Sequence, residues 1–153
     1  EIYGGAMGTM LPDCFTTEVF LRNFSMDMAK LYDGVRHDSG DPLAFGDKMI
    51  AKYQSYHINP LTKSIVFSDA LDFERALAIQ HYFEGRINVS FGIGTNLTND
   101  VGVQPLNIVM KLKTFQVNPR QPVYRCVKLS DVPGKELGDP DEIRSYKVIL
   151  GLE

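Results

Sequence analysis

Residues 64–94, SIVFSDALDFERALAIQHYFEGRINVSFGIG, decide the fold. SIVFSD is a short β-branched and aromatic run, expected as a buried strand from Ser64 to Ser68 that ends at Asp69. LDFERALAIQHYF follows with Leu71, Ala78, Ile79 and Phe83 at helical spacing. RINVSFGIG returns to strand character and runs into glycines. A strand, a helix and a strand within roughly 30 residues predict parallel strands joined by a crossover helix.

Upstream, the same rhythm repeats. Thr16 or Thr17 is placed to cap a helix whose apolar stripe is Val19, Phe20, Phe24, Met28 and Leu31. Gly34–Val35 begins another short apolar piece, leading into RHDSGDP. Pro42 suits the first turn of the next helix, which is predicted to reach about His57 with Phe45, Met49, Ile50 and Tyr53 on one face. An apolar segment at 2–11, ending near Pro12 and Asp13, precedes these units.

Downstream of residue 100 the rhythm changes. NIVMKLKTFQ (107–116) and VYRCVKLS (123–130) are β-like and flank the polar turn VNPRQP, which predicts a hairpin. SDVPGKELGDPDE is loop-rich, and a short helix is expected near Asp141–Lys147. No linker splits the chain, so residues 1–153 read as one domain, with β-α units over 1–100 and a hairpin and tail over 101–153.

Composition excludes several classes. The 153 residues are 44% hydrophobic and 23% charged, as in an ordinary globular protein. No apolar run approaches the roughly 18 to 20 residues of a membrane-spanning helix. The start, from Glu1 rather than Met, lacks the basic-then-apolar pattern of a signal peptide. A net charge of −3, with Lys and Arg dispersed, argues against a nucleic-acid surface but not against one small phosphorylated ligand. Cys14 and Cys126 are expected as free thiols in a reducing cytoplasm, and His37, His57 and His81 form no metal-ligand pattern.

Ligands of parallel α/β folds sit at the carboxyl ends of the strands. The polar clusters fall there in succession: Asp13, then Arg36, Asp38 and Ser39, then Ser68 and Asp69, then Gly92, Gly94 and Thr95. In FGIGTN, two glycines permit close backbone approach to an anion, and the amides with the Thr95 hydroxyl could cradle a phosphate. A tight strand-to-helix turn without a ligand reads equally well. On an extended strand end Arg36 and Asp38 share a face and His37 points away. Arg36 could pair with a carboxylate or phosphate ligand, or simply with Asp38. Asp69 could accept hydrogen bonds from ribose hydroxyls or cap the next helix, a place Asp72 could equally take. Lys128 and Lys135 flank a Pro-Gly turn and are expected in a solvated loop, with a contact to pyrophosphate or to a partner subunit as the other readings.

GVRHDSGDP (34–42), VFSDALD (66–72), VSFGIGTNLTND (89–100), PLNIVMKL (105–112) and KLSDVPGK (128–135) resemble successive blocks of nicotinate phosphoribosyltransferases. They stand in the family's order, and the likeness covers nearly the whole chain. Asp13 in PDCFTTEVFLRNF also matches, with Pro12 where many members have Thr. The resemblance implies the C-terminal portion of a longer enzyme, with a partial, irregular TIM-like α/β barrel. It implies formation of nicotinate mononucleotide and pyrophosphate from nicotinate and phosphoribosyl pyrophosphate, with coupled ATP hydrolysis through a phosphorylated histidine. Mg2+ is then expected on the diphosphate, and a homodimer is expected by analogy. Arg36, Asp38 and Asp69 become the catalytic candidates: Arg36 at the nicotinate carboxylate, Asp38 in an open role, Asp69 at the ribose. Gly92, Gly94, Thr95 and Asn96 become the phosphate cradle.

One departure stands out. The family's phosphorylated histidine lies in a GT-x-x-HEW motif, whereas the GTM of Gly8–Met10 is followed by no His-Glu-Trp and the chain contains no tryptophan. The chain alone is therefore expected to be inactive. Two other readings use the same residues: a nicotinamide or quinolinate phosphoribosyltransferase, and a non-catalytic phosphate-binding or interaction module.

Overall fold

The computed structural model describes residues 6, 8–106, 108, 110–132 and 134–153. Its centre is a parallel sheet of four strands in the order β1-β2-β3-β4: Thr9–Met10, Gly34–His37, Ser64–Phe67 and Asn88–Phe91. Each strand lies beside its predecessor, with Val35 opposite Ile65 and Ile65 opposite Val89. Half of the apolar segment expected at 2–11, residues 2–5 and 7, lies outside the described residues.

The helices begin where side chains can take up their free amides. Helix α3, Pro42–Ser55, carries Pro42 in its first turn, and the Asp41 carboxylate accepts from Leu43 and Ala44. Phe45, Met49, Ile50 and Tyr53 are buried, as their spacing predicts. Helix α4, Phe73–Phe83, is capped by Asp72, which accepts from the Arg75 amide. Asp69 is thereby freed from the capping role. Ala76 rather than Ala78 completes the buried stripe with Leu71, Ile79 and Phe83, because the helix begins at Phe73 and turns Ala78 outward.

The first helical region departs from expectation. It is two helices, α1 (Thr17–Asn23) and α2 (Met26–Leu31). Thr16 caps the first; Phe24 is extended, and Ser25 then caps the second through the Met28 amide. A serine offering its oxygen to the backbone competes with helix continuation. The break redirects the stripe, so that Phe24 and Ala29 are buried while Met28 and Leu31 are exposed.

Phe24, Val35, Met49, Tyr53, Ile65, Phe67 and Phe83 form the centre of one core between sheet and helices. Phe67 stacks on Phe83 at 5.6 Å and on Phe91 at 6.2 Å. Gly46 is required by packing: a Cβ there would lie 2.2 Å from the Phe83 ring.

The tail is different. The predicted hairpin forms only between β5, Thr114–Phe115, and β6, Tyr124–Arg125, antiparallel and separate from the main sheet. Leu106, Ile108, Met110 and Leu112 precede it without strand pairing and are exposed; Asn107 and Val109 lie outside the described residues. Period-two alternation selects a face but supplies no partner strand. Helix α6, Pro140–Ile149, forms as expected, capped by Asp139. No helix among the described residues is long and apolar enough to cross a membrane.

Candidate functional site

Parallel register brings the carboxyl ends of β2, β3 and β4 together. Alternation along β2 sends Arg36 outward and His37 inward, as the pleat requires. His37 is 3% exposed and packs between Phe45 and Phe67, at ring distances of 5.1 and 5.6 Å. Burial pushes its imidazole below the ordinary histidine value, against the opposing pull of the Asp69 charge. His37 is therefore a wall of the core, not a group facing the rim.

Arg36 and Asp38 meet on the rim, Nη2 donating to Oδ1 at 2.6 Å. Arg36 Nε donates to Ser68 Oγ at 2.8 Å, and Ser68 Oγ donates to the His37 carbonyl at 2.9 Å. Ser68, at the end of β3, is thus the joint between two strand ends, a role its residue type alone does not announce. The guanidinium is held in plane by two partners, and its Nη1 has none among the described residues. Such a fork is preorganised for a planar anion.

Asp69 follows Ser68 directly. The next residue, Ala70, has φ +48°, an uncommon left-handed conformation for a side chain with Cβ. The Asp69 carboxylate lies 3.7 Å from Lys135 Nζ, too long for a firm hydrogen bond. After β4 the chain passes Gly92 and Gly94 into a single turn, α5, Thr95–Thr98. Gly92 answers to packing, since a Cβ there would lie 3.2 Å from Ser68 Cβ. Gly94 faces open space. The first amides of α5 have no acceptor within the turn, by the geometry of any helix start. Asn96 Nδ2 donates to the Leu71 carbonyl at 2.9 Å, tying this turn to the one after β3.

Asp13 belongs to the same rim. It is 5% exposed, accepts from Ser39 Oγ at 2.6 Å, and pairs with Lys128 Nζ at 2.6 Å. The expectation of a solvated 128–135 loop holds at Lys135, whose side chain is 52% exposed, and fails over 128–130. Leu129 and Ser130 are buried, the Leu129 amide donates to the Cys14 carbonyl at 3.1 Å, and Asp131 accepts from the Thr17 amide at 3.0 Å and from its hydroxyl. Sequence reasoning missed Asp131 because its partner lies 114 residues away. The carboxylate sits at the start of α1, where the free amides and the helix dipole favour negative charge.

Among the described residues no three His, Cys, Asp or Glu side chains are grouped to hold a metal ion. Cys14 and Cys126 are free thiols.

The chain is similar in sequence and in fold to known proteins of one family. The sequence pattern of the nicotinate phosphoribosyltransferase (NAPRTase) family matches residues 1–150. Nicotinate phosphoribosyltransferase 2 of Pseudomonas aeruginosa is 52% identical over 150 residues, which are 97% of this chain and 36% of that protein. Nicotinate phosphoribosyltransferase of Chromohalobacter salexigens is 50% identical over 99% of this chain and 39% of that protein. The crystal structure of nicotinate phosphoribosyltransferase from Porphyromonas gingivalis superposes with a TM-score of 0.93 at 51% identity, covering 98% of this chain and 39% of that one. The chain thus spans little more than a third of the length of the relatives it matches.

Proposed function

Because the chain belongs to the nicotinate phosphoribosyltransferase family, we propose that it supplies the sugar-phosphate rim of an enzyme joining nicotinate to phosphoribosyl pyrophosphate. The observation that carries this reading is the convergence of Arg36, Asp38 and Ser68 with Asp69 and the Gly94–Thr95 turn along three adjacent strand ends. We read the four parallel strands as one arc of a barrel whose remainder lies in other parts of the full-length relatives.

In this reading the nicotinate ring nitrogen bonds to C1 of the ribose as the C1–O bond breaks and its electron pair leaves with pyrophosphate. The transition state carries oxocarbenium character, so positioning and charge placement are the protein's main contributions. The Arg36 guanidinium, steadied by Ser68 and Asp38, holds the nicotinate carboxylate through its remaining donors. Asp69 accepts from the ribose hydroxyls. The Thr95 hydroxyl and the amides of its turn take the 5-phosphate, with Asn96 fixing that turn to Leu71. Mg2+ would travel on the diphosphate oxygens. The rim carboxylates Asp13, Asp38 and Asp69 each already face a cationic side chain, which suits a ligand-borne ion better than a protein cage. The coupling to ATP belongs, in this proposal, to residues beyond this chain, since His37 is buried in the core and His57 and His81 lie at the far ends of α3 and α4, away from the rim.

The test is kinetic, in the complete enzyme carrying this segment. Arg36→Ala should raise the KM for nicotinate at least about tenfold, the worth of a charge-assisted bidentate contact. Nicotinamide, which lacks the carboxylate, should be a poor substrate for the parent enzyme. An unchanged nicotinate KM in the variant removes Arg36 from the site. Equal use of nicotinamide would point to the sister activity.

A further inference from the structure

The rim has a charge problem that the four-stranded half does not solve. Its strand ends present Asp13, Asp38 and Asp69, against Arg36 on β2 and Arg75, whose Nη1 donates to the Ala70 carbonyl at 3.0 Å. A rim of net negative charge repels a sugar bearing a phosphate and a diphosphate. The balance comes from the tail, which places Lys128 on Asp13 and Lys135 near Asp69.

The two lysines are not alike. Lys128 is 27% exposed in its side chain and makes a 2.6 Å contact with a carboxylate that is itself buried, so it is committed to its partner. Lys135 is 52% exposed, sits 3.7 Å from a carboxylate that is 25% exposed, and forms no hydrogen bond with it. Its backbone is nonetheless well placed. The preceding stretch is anchored by buried Leu129 and Ser130 and by Asp131 on Thr17. Gly134, at φ +82°, turns the chain just before it. The result is a long cation on a fixed base, loosely held and free to exchange partners.

Direction follows from strand order. In the proposed placement, with the 5-phosphate at the end of β4, the ribose at the end of β3 and the nicotinate carboxylate on Arg36 of β2, C1 lies on the β2 side of the ribose. The tail crosses this same side, from Asp13 after β1 to Asp69 after β3. We propose that Lys135 is a substrate-binding residue for the diphosphate on C1. Its ammonium leaves the carboxylate of Asp69 when the ribose hydroxyls arrive, and engages the diphosphate oxygens. Asp69 and Lys135 then screen each other in the empty site and bind two neighbouring groups of one ligand in the filled site. The inference rests on the phosphoribosyl reading of the site and extends it to a residue from the tail.

The experiment uses the complete enzyme carrying this segment, with Mg2+, phosphoribosyl pyrophosphate and inorganic pyrophosphate as probes. Lys135→Ala should weaken binding of both probes by about tenfold to a hundredfold, the range of a charge-assisted contact. The KM for nicotinate and the melting temperature should hold, because the side chain is exposed and its one ion pair is loose. Lys135→Arg should recover most of the loss. Unchanged or tighter binding in Lys135→Ala overturns the proposal, as does an arginine variant as weak as alanine. Wild-type enzyme that binds neither probe would instead overturn the phosphoribosyl reading itself, and this inference with it.

Discussion

The strand-helix half and the tail share one chain yet are stabilised by different means. From Thr9 to Phe91, apolar side chains close on a single core, and every buried hydrophobic residue but Leu129 lies in this half among the described residues. In the tail, Leu106, Ile108, Met110 and Leu112 are between 68% and 92% exposed. What attaches the tail is mostly polar, Lys128 on Asp13, Asp131 on Thr17 and the Leu129 amide on Cys14, joined by the buried Leu129 side chain and the stacking of Tyr146 on Phe15. Burial makes one half rigid, and a few specific contacts deliver the other half's charges to the rim. The comparison predicts that stability should respond to core changes in the first half and hardly at all to changes at the exposed Leu106, Ile108, Met110 and Leu112 of the tail.

The largest expected effect is Phe67→Ala. Phe67 is fully buried against Phe83, Phe91 and His37, so truncation should cost about 3–5 kcal/mol by denaturant unfolding. Met110→Ala, at 92% exposure, should fall within about 0.5 kcal/mol of the parent chain. Comparable losses would break the contrast between the halves. Gly46→Ala comes next. It fills no void but drives a methyl into the buried Phe83 ring, and overpacking of this kind costs about 1–3 kcal/mol.

Asp131→Ala tests the seam. It removes the acceptor of the Thr17 amide and hydroxyl at the start of α1, a loss of about 1–2 kcal/mol if the tail is docked in solution. Hydrogen exchange should then rise at Thr17 and Leu129 together, while β2 and β3 remain protected. Protection lost at Thr17 alone would mean that the tail is attached elsewhere.

These contrasts mark what could be read in advance. The parallel units, the caps at Asp41 and Thr16, and the opposed directions of Arg36 and His37 follow from local rules of spacing, pleat and side-chain chemistry. The break at Ser25 was legible in principle, since a serine precedes Met26–Leu31 as a cap would, but the longer apolar stripe outweighs it in a one-dimensional reading. The contacts of Asp13, Asp131 and Lys135 were not legible. Asp13 with Lys128, Asp131 with Thr17 and Lys135 with Asp69 each join residues more than sixty positions apart, and nothing in a side chain's own neighbourhood encodes a partner at that separation. The hairpin forms but is shorter than the alternation in 107–116 predicts, because that alternation encodes a buried face and no described element covers it.

A smaller effect concerns pH and isolates the core of the first half. The folded-state value of His37 lies below its unfolded value, so over the interval between them the unfolded chain binds more protons. Stability should therefore be fully present above the ordinary histidine range and decline as pH falls through it, levelling off below the depressed folded value. The slope cannot exceed about 1.4 kcal/mol per pH unit for one group. His37→Phe should flatten that part of the profile. A slope that persists unchanged would assign the proton uptake to another group.

The smallest change is expected to stabilise. His57 has φ +56° and closes α3: its amide donates to the Gln54 carbonyl at 2.9 Å, and the Ile58 amide donates to Tyr53 at 3.0 Å. This is the turn in which glycine is favoured, because a left-handed residue with a Cβ is strained. His57→Gly should gain a few tenths to about 1 kcal/mol, the relieved strain exceeding the added entropy of the unfolded chain. The sign matters more than the size. If unfolding of the whole chain is governed by the strand-helix half, the gain will appear in the global transition and raise its midpoint. If the tail detaches first and that step limits the measured stability, the same substitution will leave the first transition in place and move only the second, and two transitions by circular dichroism would separate the halves directly.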